Sequence, residues 1–223
     1  NPVAVTFGAG CLARLPARVG TRRAVVVTFP EAAALGLHAR VEKLLGSRLR
    51  GFVADIAPNP DVAELRSLYA RFWRDYADCE VVVALGGGSA LDTAKALIVR
   101  TSSGAFGELE DALAAGAAFA PPSAKALITV PTTAGTGSEV TPWATVWDRA
   151  AHRKFSLHLD ATWPEAALVD PDLTATLPAS VTLQSGLDAL SHALESIWNV
   201  NANPVSDALA VAAAKSMLAT VPA

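Results

Sequence analysis

The chain has 223 residues, 52% hydrophobic and 17% charged, with a net charge of -3, which is enough apolar material for a sizeable core and room for one domain or one and a half. No basic stripe is present to track a phosphate backbone, so nucleic acid is not an expected partner. No apolar run reaches the roughly 18 residues of a membrane helix and the N-terminus has no charged region followed by an apolar core, so a membrane is not expected and the cytoplasm is the expected location.

Apolar β-branched runs recur with helix-period segments between them, the pattern of parallel strands joined by crossover helices, and the expected fold class is α/β. Residues 3–7 are expected as an edge strand and 24–28, AVVVT, as the first central one. A shorter strand is expected at 52–56. In the segment that follows, Val62, Leu65, Tyr69, Phe72 and Tyr76 recur at spacings of three and four, one face of a helix. Asn59 is the expected N-cap and Pro60 the first-turn proline. Cys11 and Cys79, the two cysteines, lack metal-type spacing and read as free thiols of a reducing compartment. Further strands are expected at 81–85, 126–130 and 166–169, with an alanine-rich helix and loop over 105–124. From Val181 onward strands stop, and two helical segments follow, split by a turn at 201–204.

Three stretches carry chemistry. The first is GGGSALD, Gly86 to Asp92, placed between a strand and a helix. It matches neither of the two best-known phosphate fingerprints. Ser89 and Asp92 have the spacing of a capping box, so the turn is either a simple capped connection or an anion cradle of backbone N–H groups. The second is PTTAGTGSEVT, Pro131 to Thr141, with four threonines, one serine and two glycines in one connection. Hydroxyls suit ribose and pyrophosphate, although turn chemistry alone also uses threonine. Two such loops after parallel-type strands favour one ligand shared in the crevice at the strand ends. The third is GLDALSHALES, in which Asp188 and His192 stand four apart on one helix face. A carboxylate and an imidazole so placed reach one divalent metal from the same side, or simply bond each other.

In this order the three stretches resemble the iron-containing (group III) alcohol dehydrogenase family, and the resemblance covers essentially the whole chain. It implies a Rossmann-like parallel-sheet nucleotide-binding domain over residues 1–180, followed over 181–223 by the first part of an all-helical metal-binding domain. Gly87, Gly88 and Ser89 would hold the pyrophosphate, with Asp92 near the same cofactor. Thr132, Thr133, Thr136 and Ser138 would line the nucleotide site, with Asn59 and Lys154 contributing from neighbouring loops. Asp188 and His192 match the first two of the family's four metal ligands; the other two, both histidines, would fall beyond position 223. The implied cofactors are NAD(H) or NADP(H) and a divalent metal, Fe2+ or Zn2+, and the implied assembly is a homo-oligomer, a dimer. At the end of the first strand of the nucleotide fold many members carry an acid for the adenosine 2'-hydroxyl, where this chain has Thr28-Phe29-Pro30. Phe29 cannot take that part, which leaves NADPH tolerated.

The implied reaction is metal-assisted reduction of a small aldehyde to a primary alcohol. The stretches around Trp143, Trp147 and Trp198 resemble the phosphonoacetaldehyde reductase branch, which would make the product 2-hydroxyethylphosphonate, with Arg149, Arg153 and Lys154 the nearest basic groups for the head. No catalytic side chain is assigned. Two rival readings are a metal- and NAD-dependent lyase or synthase of dehydroquinate synthase type and a non-catalytic nucleotide-binding fragment.

Overall fold

The apolar runs become central strands because each is covered on both faces. The computed structural model describes residues 1–221. Its elements in chain order are β1 (Ala4–Phe7), α1 (Leu15–Val19), β2 (Ala24–Thr28), α2 (Leu37–Leu45), β3 (Leu49–Val53), α3 (Val62–Asp75), β4 (Val81–Gly86), α4 (Gly88–Ile98), β5 (Val99–Arg100), α5 (Phe106–Ala115), β6 (Ser123–Ala124), β7 (Ala126–Pro131), β8 (Trp143–Asp148), β9 (Arg153–His158), β10 (Ala166–Val169), α6 (Ala179–Ile197) and α7 (Pro204–Thr220). Six strands form one sheet in the order β1-β10-β7-β4-β2-β3, with every pair parallel. The fold is α/β, as the alternation of runs implies.

Successive side chains of a strand face opposite ways, and β2 shows the result. Val25 and Val27 join Val82 and Ala84 in a core with Tyr69 and Phe72 of α3, Leu91 of α4 and Phe106 of α5. Ala24 and Val26 join Val81, Val83 and Ile128 in a second core with Leu15 of α1 and Val41 of α2. Each fully buried valine or leucine contributes about 1.5–3 kcal/mol. The chain runs from β2 outward to β3 and then returns to place β4 on the other side of β2. That reversal puts a switch point, with a crevice at the strand ends, between β2 and β4.

The far edge is closed by the N-terminus. β1 pairs with β10 in register Ala4 to Ala166, and the Asp170 carboxylate just beyond β10 accepts from the N–H groups of Gly10 (2.9 Å) and Leu12 (3.0 Å). Cys11 and Cys79 are both buried free thiols, and burial pushes the Cys79 thiol up to about 11, so neither thiol is poised to react. After β10 the chain is helical: α6 and α7 pack together where a Cβ at Gly186 would come within 2.6 Å of Val221. Among the described residues no helix is long and apolar enough to cross a membrane.

Three local expectations are corrected. The third strand of the sheet lies at Leu49–Val53 rather than 52–56, and Gly51 sits inside it because a Cβ there would lie 2.8 Å from the Tyr76 hydroxyl packed over this edge. Asp61, not Asn59, caps α3: its carboxylate accepts from the Ala63 N–H at 2.9 Å, while Asn59 adopts a left-handed φ of 58° that asparagine tolerates better than most residues. The third correction is an unexpected antiparallel hairpin, β8–β9, which covers α4 with Ala144, Val146, Phe155 and Leu157.

Asp61 also accepts from the Arg149 N–H at 3.0 Å, joining α3 to the hairpin tip. Burial acts to raise this carboxyl, but the N–H groups of Arg149 and Ala63 and the nearby guanidinium charges hold it below the ordinary carboxylate range. A depressed carboxylate stabilises the fold above its unfolded-state pKa and loses that contribution as pH falls through the folded value. Asp61→Ala is expected to lower stability by about 1–3 kcal/mol at neutral pH. Urea unfolding at neutral and acidic pH checks it: the gap between variant and wild type should close in acid.

Candidate active site

Gly86, Gly87 and Gly88 stand at the switch-point crevice, and each glycine is tight for a different reason. A Cβ at Gly86 would lie 2.7 Å from the Ala90 Cβ and 3.2 Å from the Phe29 ring, so this glycine lets α4 turn directly off β4 beneath Phe29. A Cβ at Gly87 would meet Thr133 at 3.2 Å, and one at Gly88 would meet the Thr136 methyl at 2.9 Å. The glycine turn and the threonine loop are therefore two walls pressed together. Thr132 adds a backbone link, its N–H donating to the Gly86 carbonyl at 3.0 Å.

Gly87 is the N-cap of α4 and no side chain caps it, so the first-turn N–H groups of Gly88 and Ser89 have no intrahelical acceptor. This replaces the expected capping box. Ser89 lies inside the first turn, where its hydroxyl accepts from the Asn59 N–H at 2.9 Å. Asp92 faces inward: its carboxylate accepts from the Ser138 hydroxyl (2.7 Å) and the Thr145 N–H (2.9 Å). Burial pushes the Asp92 carboxyl up, and those two hydrogen bonds and the Lys95 charge act against it. Uncapped N–H groups at a helix start, flanked by glycine backbone and threonine hydroxyls, form a site for an anion such as a pyrophosphate.

The loop carrying Asn59 is held by the hairpin. The Arg149 guanidinium donates to the carbonyls of Pro58 and Asn59, both at 2.9 Å, and the Trp147 N–H donates to Pro60 at 2.8 Å. Lys154 stands on the exposed side of β9 with its ammonium 5.9 Å from the Trp147 ring centroid. Trp143 stacks on His158 with centroids 4.1 Å apart, Arg153 lies over Phe155, and Trp198 is exposed at the end of α6. Of the polar residues singled out in the sequence, Asn59, Ser89, Thr132, Thr133 and Thr136 come together with the glycines, while Asp92 and Ser138 lie beneath them.

Asp188 and His192 face each other on α6, with His192 Nε2 3.5 Å from Asp188 Oδ2 and both side chains about half exposed. The donor set suits one divalent cation approached from the solvent side, but two donors are fewer than the three or more of a catalytic site. No group of three or more such ligands occurs among the described residues. Glu195, three residues beyond His192, accepts from the Ser191 hydroxyl. The link to the glycine and threonine walls is Gly135: a Cβ on this threonine-loop residue would overlap the Ser185 carbonyl oxygen, three residues before Asp188. One helical turn thus separates the loop contact from the metal-type pair. Sequence reasoning missed the roles of Gly135, Arg149 and the buried Lys95.

The sequence model of iron-containing alcohol dehydrogenases matches residues 2–171, and that of the C-terminal region of the Fe-containing alcohol dehydrogenase family matches residues 182–223. The chain belongs to the iron-containing alcohol dehydrogenase family. Alcohol dehydrogenase 4 of Schizosaccharomyces pombe is 33% identical over 92% of the chain and 48% of its own length. The NAD-dependent methanol dehydrogenase of Bacillus methanolicus is 33% identical over 96% of the chain and 56% of its own length. Sulfoacetaldehyde reductase from Bifidobacterium kashiwanohense, solved in complex with NAD+, superposes with a TM-score of 0.87 at 31% identity, covering 99% of this chain and 58% of that one. The chain spans about half the length of the curated relatives it matches.

Proposed function

We propose that the protein reduces a small aldehyde to a primary alcohol with NAD(P)H and a divalent metal, residues 1–180 holding the dinucleotide and residues 181–223 supplying the first metal ligands. The observation that supports the reading is the chain of contacts from glycine turn to threonine loop to α6, which joins the uncapped helix start and a carboxylate–imidazole pair in one continuous structure. Gly87, Gly88 and Ser89 offer backbone N–H groups to the pyrophosphate, Thr132, Thr133 and Thr136 offer hydroxyls along the same wall, and Asn59 closes the other side. Asp188 and His192 would hold the metal, Fe2+ or Zn2+. When bound, such a cation supplies Lewis acidity at the carbonyl oxygen. A bound nicotinamide would supply the hydride and solvent or an acid the proton, so that one aldehyde, one NAD(P)H and one proton would give one alcohol and one NAD(P)+.

A two-carbon aldehyde with an anionic head is the proposed substrate class. The similarity to a sulfoacetaldehyde reductase supports it, and phosphonoacetaldehyde belongs to the same class. The deciding experiment is NAD(P)H oxidation against a panel of neutral and anionic aldehydes, with the product identified. Stoichiometric alcohol confirms the reading; a product formed without net oxidation of NAD(P)H points to a lyase or synthase.

Cofactor choice is read at Phe29, whose ring lies against Gly86. Phe29→Asp is expected to move the NADH-to-NADPH ratio of kcat/KM by about tenfold towards NADH, because a carboxylate there accepts from the 2'-hydroxyl and repels a 2'-phosphate. Steady-state kinetics with both cofactors checks it, and an unmoved ratio removes Phe29 from the adenosine-ribose position.

A further inference from the structure

Lysine is almost never fully buried unless its charge is satisfied, yet Lys95, seven residues into α4 from Gly88, is completely inaccessible. Its ammonium donates to the Ser138 carbonyl (2.6 Å), the Ser138 hydroxyl (2.7 Å) and the Trp143 carbonyl (2.6 Å). An ammonium has three N–H donors, and all three are used. The acceptors come from two separate segments: the end of the threonine loop and the first residue of β8. Asp92, one turn earlier on the same helix, repeats the connection by accepting from the Ser138 hydroxyl and the Thr145 N–H.

We infer that Lys95 is a positioning residue for the dinucleotide, clamping the threonine loop and the hairpin to the helix whose N-terminus carries the glycine turn. This rests on the proposed dinucleotide-dependent function. The Gly88–Thr136 and Gly87–Thr133 contacts fix how far apart the two walls of the cradle stand. Among the side-chain hydrogen bonds of the described residues, those linking α4 to both segments are made by Lys95 and by Asp92, which shares the Ser138 hydroxyl with Lys95. Lys95 itself stays out of contact with the ligand.

The clamp depends on charge. Burial pulls the Lys95 ammonium down from 10.5 to about 8, against the opposing carboxylates of Asp92 on α4 and Glu139 on the loop turn. From β8 the Trp143 carbonyl accepts from it. A neutral amine has two N–H groups for three acceptors, so the clamp slackens as pH rises past this value. Global stability moves the opposite way. A lysine with a lowered folded-state pKa penalises folding below that pKa, and the penalty is relieved as pH rises towards the unfolded value. Weaker cofactor binding in this window therefore comes from local loosening and not from unfolding.

The experiment measures Kd for NADH and NADPH by calorimetry between about pH 6.5 and 9.5, with hydrogen-exchange protection of residues 132–140 in the ligand-free protein. Wild type is expected to bind at least about tenfold more weakly at the alkaline end and to lose protection in that segment. Lys95→Met is expected to bind at least about tenfold more weakly at neutral pH, with a flat pH profile, unprotected loop amides and a larger change in KM than in kcat. Equal affinity and an equal pH profile in wild type and Lys95→Met overturn the inference. If the variant does not fold, the wild-type profile decides: affinity and loop protection that stay constant across the range overturn it. If wild type binds no dinucleotide at any pH, the proposed function fails, and the clamp then stands or falls on the exchange data alone.

Discussion

Gly88→Val is expected to weaken dinucleotide binding by at least about a hundredfold while the protein still folds. A Cβ at this position already stands 2.9 Å from the Thr136 methyl, and valine adds two further methyl groups. The threonine loop must move away from the helix start, which opens the cradle and displaces hydroxyls from the backbone N–H groups they accompany. The helix itself tolerates the change, because Gly88 does not have a positive φ and lies at the edge of the crevice rather than in either core. Overpacking of this kind costs about 1–3 kcal/mol of stability. Calorimetric titration with NADH and NADPH, beside thermal unfolding, separates the two effects. Gly88→Ala should fall between, since Thr136 is exposed and free to yield to one carbon. Undiminished affinity in the valine variant would show that the glycine turn holds nothing.

Asp188→Ala and His192→Ala are each expected to abolish measurable turnover while leaving dinucleotide affinity within about threefold of wild type. Partners that only orient metal ligands carry about 10–100-fold in affinity or activity, and a direct ligand carries at least as much. The two side chains lie 3.5 Å apart on the exposed face of α6, so neither replacement disturbs a core. The Asp188–His192 pair by itself is expected to hold metal weakly, because two ligands neither saturate the ion nor fix it. Metal content by mass spectrometry, together with aldehyde-dependent NAD(P)H oxidation, checks both statements. Turnover that survives loss of either ligand would mean the reaction needs no metal at this pair.

The parts of the fold legible in the sequence are those where burial leaves one choice. β2, β4 and β7 are apolar on both faces, so their runs are continuous and their positions plain. β3 lies earlier than its apolar run suggests because it includes Gly51, which makes room for Tyr76 at the end of α3. The β8–β9 hairpin escaped notice because its tip, Arg149 to His152, has neither glycine nor proline, and His152 takes a positive φ of 51° instead. In the site, glycines and threonines signalled themselves by composition. Lys95 did not, since a lysine on a helix reads as a solvated charge and only the folded chain shows three carbonyl and hydroxyl oxygens closing on it. Gly135 was equally silent, because its partner at Ser185 lies fifty positions away along the chain.

The pairing of β1 with β10 has a consequence for the order in which the protein acquires its shape. The first strand waits for residues 166–169 before it has a neighbour, and the loop after it waits for the Asp170 carboxylate. During synthesis the β2–β3–β4–β7 portion is in place well before this long-range closure. In that interval β7 presents an edge of unpaired backbone N–H and C=O groups at Ile128 and Thr129 to any other strand. The emergence of β10 from the ribosome, rather than collapse of the central strands, ends that vulnerability.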